Sequence, residues 1–180
     1  TGAQQEGFEE LKAVYSIRQA EALRARGELA AAYDLVAPVL ARYPDNLDAQ
    51  AALARMYAAA GRNEEALELY KKVLEARPGD AQLHLSAAQL AQQLDDTRYA
   101  AKEAAMAVEL APDQVDILAG AARIYRAQGK NGQAVSLLKK AVALQEKGAK
   151  PAGGAAPLAG QGNPFASDPR RPSYAVPHGR

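Results

Sequence analysis

PDNLDAQAALARMYAAAGRNEEALELYKKVLEARP, residues 44–78, is one period of a repeat and begins and ends on the same residue. Stepping 34 residues from Pro44 reaches Pro78, and a second step reaches Pro112. The same step carries Gly27 to Gly61, to Asp95 and to Gly129. A third column is unbroken (Ala32, Ala66, Ala100, Ala134), and a fourth reads Leu23, Tyr57, Ala91 and Tyr125. Four columns sharing one period define the unit of the chain.

Each column has a physical reason. Glycine ahead of the second helix supplies the positive φ that a tight turn after a helix needs. Alanine in the shared column lets two backbones come close. Proline after the second helix cannot continue it and so separates one unit from the next. Asn46 and Asp80 precede the first helices, while Asn63, Thr97 and Asn131 precede the second ones, where a side-chain oxygen can accept unpaired amide hydrogens. These signals predict helices near 7–26, 29–42, 47–60, 63–76, 81–93, 97–110, 115–128 and 131–147. One helical pair cannot bury its apolar face alone, so stacked neighbours supply the core.

The period and its residues resemble the tetratricopeptide repeat, a helix–turn–helix unit. Leu53, Ala54, Tyr57, Gly61, Ala66, Tyr70 and Pro78 match it in one unit, and Ala121, Ala122, Tyr125, Gly129, Ala134 and Leu138 match in another. The resemblance covers residues 13–147. It implies an all-α, right-handed solenoid of about four units over residues 1–147, with residues 148–180 as a linker and extended tail. There are departures. Ser16, Gln50, His84 and Leu118 replace the family's large aromatic, Asp95 replaces a glycine, and Glu146 replaces a proline. The third unit is alanine-rich at Ala87, Ala88, Ala91, Ala100, Ala104 and Ala107. It reads either as close helix packing or as a local groove.

Composition narrows the function. Lys and Arg number 22 against 21 Asp and Glu, which argues against a dedicated nucleic-acid binder. Without cysteine there is no disulfide framework, thiolate metal site or thiol nucleophile. No apolar run is long enough to span a membrane as a helix, and Thr1-Gly2-Ala3 does not open a basic, then apolar, leader. His84 falls in a packing column and His178 in the tail, so no metal pair is expected. The carboxylate pairs Glu9-Glu10, Glu64-Glu65 and Asp95-Asp96 are sequence neighbours, which point apart on a helix. Lys71-Lys72 and Lys139-Lys140 read as a solvated outer face. No nucleophile–base pattern, cofactor motif or catalytic residue is visible, so the expectation is a binding scaffold and not an enzyme.

In the tetratricopeptide family the first helices line the concave surface. The resemblance therefore places Glu21, Arg24, Asp48, Arg55, Gln82, Gln89, Gln92, Gln93, Asp116, Arg123 and Arg126 on that face, with Ile17, Ala51, Leu85 and Ala119 between them. Such a face offers many hydrogen bonds and little bulk charge, suited to an extended peptide, a partner's surface loop or a glycan. The family's clamp for chaperone C-termini needs a Lys/Asn set that is absent here.

From Gly148 onward the chain holds six Pro and six Gly in 33 residues. A flexible spacer leads to Asn163-Pro164-Phe165, followed by Arg170, Arg171 and Tyr174. This segment reads either as linker or as a linear motif anchored by Phe165 and Tyr174. Alanine-rich repeats followed by a Gly/Pro stretch and Asn-Pro-Phe resemble the periplasmic scaffold family of bacterial cellulose synthase, the outer-membrane cellulose export proteins, just before their β-barrel. That resemblance implies a protein partner within exopolysaccharide synthesis and export, a periplasmic hydrolase, or glycan or peptidoglycan. A generic intracellular adaptor for an extended peptide or partner protein remains the alternative.

Overall fold

The computed structural model describes residues 2–149, and the tail residues Asn163, Pro164, Phe165, Arg170, Arg171 and Tyr174 lie outside them. The described residues form eight helices: α1 Gly2–Ala25, α2 Leu29–Arg42, α3 Leu47–Ala59, α4 Asn63–Ala76, α5 Ala81–Gln93, α6 Thr97–Leu110, α7 Val115–Ala127 and α8 Asn131–Ala149. They pack as four antiparallel pairs, and each pair rests on the next. The first helix begins five residues earlier than expected, so Glu9 and Glu10 lie inside it and not at its start.

The turn within each pair is the same object four times. The amide of the Gly27, Gly61, Asp95 or Gly129 column bonds to the carbonyl three residues back. The next amide reaches back five, Glu28 to Leu23, Arg62 to Tyr57, Asp96 to Ala91 and Lys130 to Tyr125, at 2.8–3.0 Å. These two bonds satisfy carbonyls that the helix end leaves unpaired. They require a left-handed residue, and Asp95 adopts φ 60 where the other units have glycine at 73 to 82.

Two of the caps are as expected. Asn46 accepts from the Ala49 amide, and Asp80 accepts from those of Gln82 and Leu83. Asn63, Thr97 and Asn131 do not cap; they are the first residues inside α4, α6 and α8. In α6 the capping oxygen belongs to Asp96, which accepts from the Tyr99 amide at 3.0 Å. The side chain of Asn63 instead donates to Gln93 at 3.0 Å.

The core forms two connected clusters. One gathers Ala13, Ile17, Ala20, Ala32, Val36 and Val39 with Ala49, Ala52 and Met56 of α3. From the other side of α3, Ala51 and Ala54 open a second cluster that runs through Tyr70 and Leu85 to Ile124. The six alanines of the third unit are all fully buried, which settles that unit as close packing and leaves no groove between its helices. Gly120 shows how tight the fit is: a Cβ there would lie 2.6 Å from the Leu85 side chain. Tyr57 and Tyr125 are half-buried and pack against the second cluster. Each sits beneath the cation that follows the turn, Arg62 at 4.2 Å and Lys130 at 5.7 Å from the ring centre. Tyr70 is the buried one.

Asp95→Gly is expected to stabilise the protein by about 0.5–1 kcal/mol in urea denaturation, because it relieves a left-handed backbone carrying a Cβ. A loss of stability would show that the Asp95 side chain supports the turn.

Candidate functional site

Packing decides which helices face inward. α1 touches α3 and α5 touches α7, whereas the second helices do not pack on one another to a comparable extent. These two contacts are in keeping with the expected placing of the first helices on one inner face. The structure brings Glu21, Arg24 and Arg55 together there: Glu21 accepts from the Nε of Arg24 at 2.9 Å and of Arg55 at 2.6 Å. Arg24, Arg55, Tyr70, Ser86, Gln89 and Gln93 then surround an open hollow of about 220 Å³. Burial raises the Tyr70 hydroxyl above its ordinary pKa, so it stays a neutral donor and acceptor beside this hollow.

Other expected residues go to different work. Asp48 accepts from Arg77 at 2.6 Å, tying the start of α3 to the end of α4, and that bond holds its carboxyl below its usual range. Gln92 accepts from Gln128 at 2.8 Å, and Gln128 also donates to the Thr97 carbonyl at 3.0 Å. This amide clip joins the turns of the third and fourth units. Gln82, Asp116, Arg123 and Arg126 are exposed. Ile17, Ala51 and Leu85 are buried between the first helices and offer little surface to a ligand.

Two of the four positions that lack the family's aromatic hold polar tethers. Gln50 donates to the Pro44 carbonyl at 2.7 Å, and His84 Nε2 donates to the Pro78 carbonyl at 2.9 Å. The other ring nitrogen of His84 lies 2.6 Å from Glu103 Oε2, with both side chains buried. Glu103 escapes a reading by columns, since its role depends on a histidine 19 residues away. Nearby, burial and then the Glu103 and Asp96 charges push the Tyr99 hydroxyl up to about 12. On the outer face Lys71 pairs with Glu68 and Lys140 with Asp113. Among the described residues no cluster of His, Cys, Asp or Glu has a metal-binding arrangement.

Comparison with known proteins agrees with this architecture. Tetratricopeptide repeat models match residues 23–90 and residues 117–150, together more than half of the chain. The chain belongs to the tetratricopeptide repeat family. It is similar to Cellulose synthase operon protein C of Pseudomonas fluorescens (strain SBW25), with 41% identity over 145 residues, 81% of this chain and 11% of that relative. Against the protein of the same name from Xanthomonas axonopodis pv. citri (strain 306), it is 52% identical over 66 residues, 37% of this chain and 4% of that protein. The chain thus spans about a tenth or less of these relatives. A solved structure, MamA from Desulfovibrio magneticus RS-1, shares the tetratricopeptide fold with a TM-score of 0.66 at 16% identity, covering 77% of this chain and 78% of that one.

His84→Phe, which restores the family's aromatic, is expected to lower stability by about 1–3 kcal/mol because it leaves the buried Glu103 carboxyl with only the exposed Lys102 at 3.6 Å. Adding Glu103→Met should recover most of the loss. Equal stability of the single variant and the parent in thermal or urea unfolding would contradict this pairing.

Proposed function

We propose that this chain is a non-catalytic scaffold segment of a bacterial cellulose-export system, working in the periplasm and holding a protein partner on its inner face. The observation that carries this reading is the 41% identity, over 81% of the chain, to Cellulose synthase operon protein C of Pseudomonas fluorescens. A repeat array suits the task, because its binding surface is long and is held rigid by helix packing without an enclosed reaction centre. No helix of the described residues is long and apolar enough to cross a membrane.

The chemistry of the inner face narrows the kind of partner. Glu21 pairs with both Arg24 and Arg55 and offsets one of their two charges, and beside them the surface is made by the amides of Gln82, Gln89, Gln92 and Gln93. Farther along, Arg123 and Arg126 are exposed beside Asp116. An extended segment or surface loop with backbone carbonyls and scattered carboxylates fits this mixture. A highly charged polymer does not. Candidate partners are the synthesis and export components, a periplasmic hydrolase, and glycan or peptidoglycan chains.

The test uses the full-length protein in a cellulose-producing host. Arg123→Glu with Arg126→Glu should leave the circular dichroism spectrum intact and weaken the co-purifying partner by about tenfold or more. Cellulose secretion should fall with it. Unchanged partner binding would move the contact off the inner face, and normal cellulose output after deletion of residues 7–148 would refute the export role.

A further inference from the structure

The 34-residue columns identify a face of α8 that the rest of the array buries. Leu138 stands in the column of Val36, Tyr70 and Ala104, and these are 0%, 2% and 0% exposed; Leu138 is 41% exposed. Val142, 51% exposed, stands in the column of Leu40, Leu74 and Val108, of which Leu74 is buried at 7% and the other two are half-buried. In the earlier units Val36, Tyr70 and Ala104 share core clusters with residues of the first helix of the next pair, and Leu40 and Val108 pack against those clusters. At α8, Val135, Leu138 and Val142 instead line an open hollow of about 340 Å³ with Lys139 and Glu146 at its rim.

We infer that this face is covered by the chain's own tail, with Phe165 of the segment 163–174 seated between Val135, Leu138 and Val142. A further helical pair cannot come from residues 148–180, whose six Pro and six Gly leave no apolar helical period. The segment does carry the aromatic residues Phe165 and Tyr174, and a proline at position 164 disfavours helix in the residue before it. Distances favour a tethered occupant. From Ala149 back to Leu138 is 11 residues of helix, about 17 Å at its rise per residue. Phe165 lies 16 residues beyond Ala149 in a Gly/Pro-rich spacer, whose root-mean-square span is about 22 Å. A linker whose span matches the gap gives an effective concentration of about millimolar. A second copy offering its exposed α1 residues Leu11 and Tyr15 competes only at its own, lower concentration. The inference is independent of the export role and of the inner face.

The chain has no cysteine, so Ser167→Cys places a nitroxide spin label two residues from Phe165. In the full chain at dilute concentration, the amide signals around Leu138 and Val142 should be lost to paramagnetic broadening while those of α1 persist. Adding Phe165→Ala should restore them. Intact α8 signals in the labelled chain would overturn the inference. So would losses on α1, losses on an isotope-labelled second copy, or losses that survive Phe165→Ala.

Discussion

Close approach of helix backbones is the constraint on which the molecule rests. Ala32, Ala66, Ala100 and Ala134 sit where the two helices of each pair meet, and all four are buried. A methyl group there lets the pair close, and closure brings the larger residues behind it into contact. Val36 and Tyr70, four residues farther along, pack because of that closure, as does Ala104 in the third unit. The repeated turn acts in the same direction: its paired hydrogen bonds fix where the second helix starts relative to the first. Near-identical pairs then stack with one offset, in keeping with first helices on one inner face.

The proposed binding face follows from that order, because positions one period apart become neighbours in space. Glu21 and Arg55 are separated by 34 residues and meet at 2.6 Å. Gln92 and Gln128 are separated by 36 and meet at 2.8 Å. The first-helix positions therefore form a ladder whose charged side chains are paired within the first units and exposed toward the last. Such a surface discriminates through hydrogen-bond geometry more than through net charge.

Repetition made the fold legible in the sequence. Each element was signalled several times, so a single departure such as Asp95 for glycine did not hide the turn. The signal weakened wherever one residue type serves two positions. Asn and Thr are common both as caps and at helix starts, so Asn63 and Thr97 read one residue early while Asp96 held the cap. Tyr57 and Tyr125 stand in one column and pack against the core, but that the turn leaves one side of each ring to a cation was not legible from the column. Glu103 gave no signal, because a buried carboxyl is intelligible only beside His84. The Glu21–Arg55 pair was available all along, as opposite charges in one column. The choice between a packed and an open third unit needed the structure, since alanine permits closeness without announcing what fills the space around it.

The most direct measurement compares two leucines placed on the same helix. Ala100 is fully buried in the shared column, and Ala105 on α6 is exposed. Backbone closeness predicts that Ala100→Leu lowers the unfolding free energy by about 1–3 kcal/mol or more. Ala105→Leu should change it by less than about 0.5 kcal/mol. Equal, small effects from both substitutions would show that the helix pairs do not depend on the alanine column.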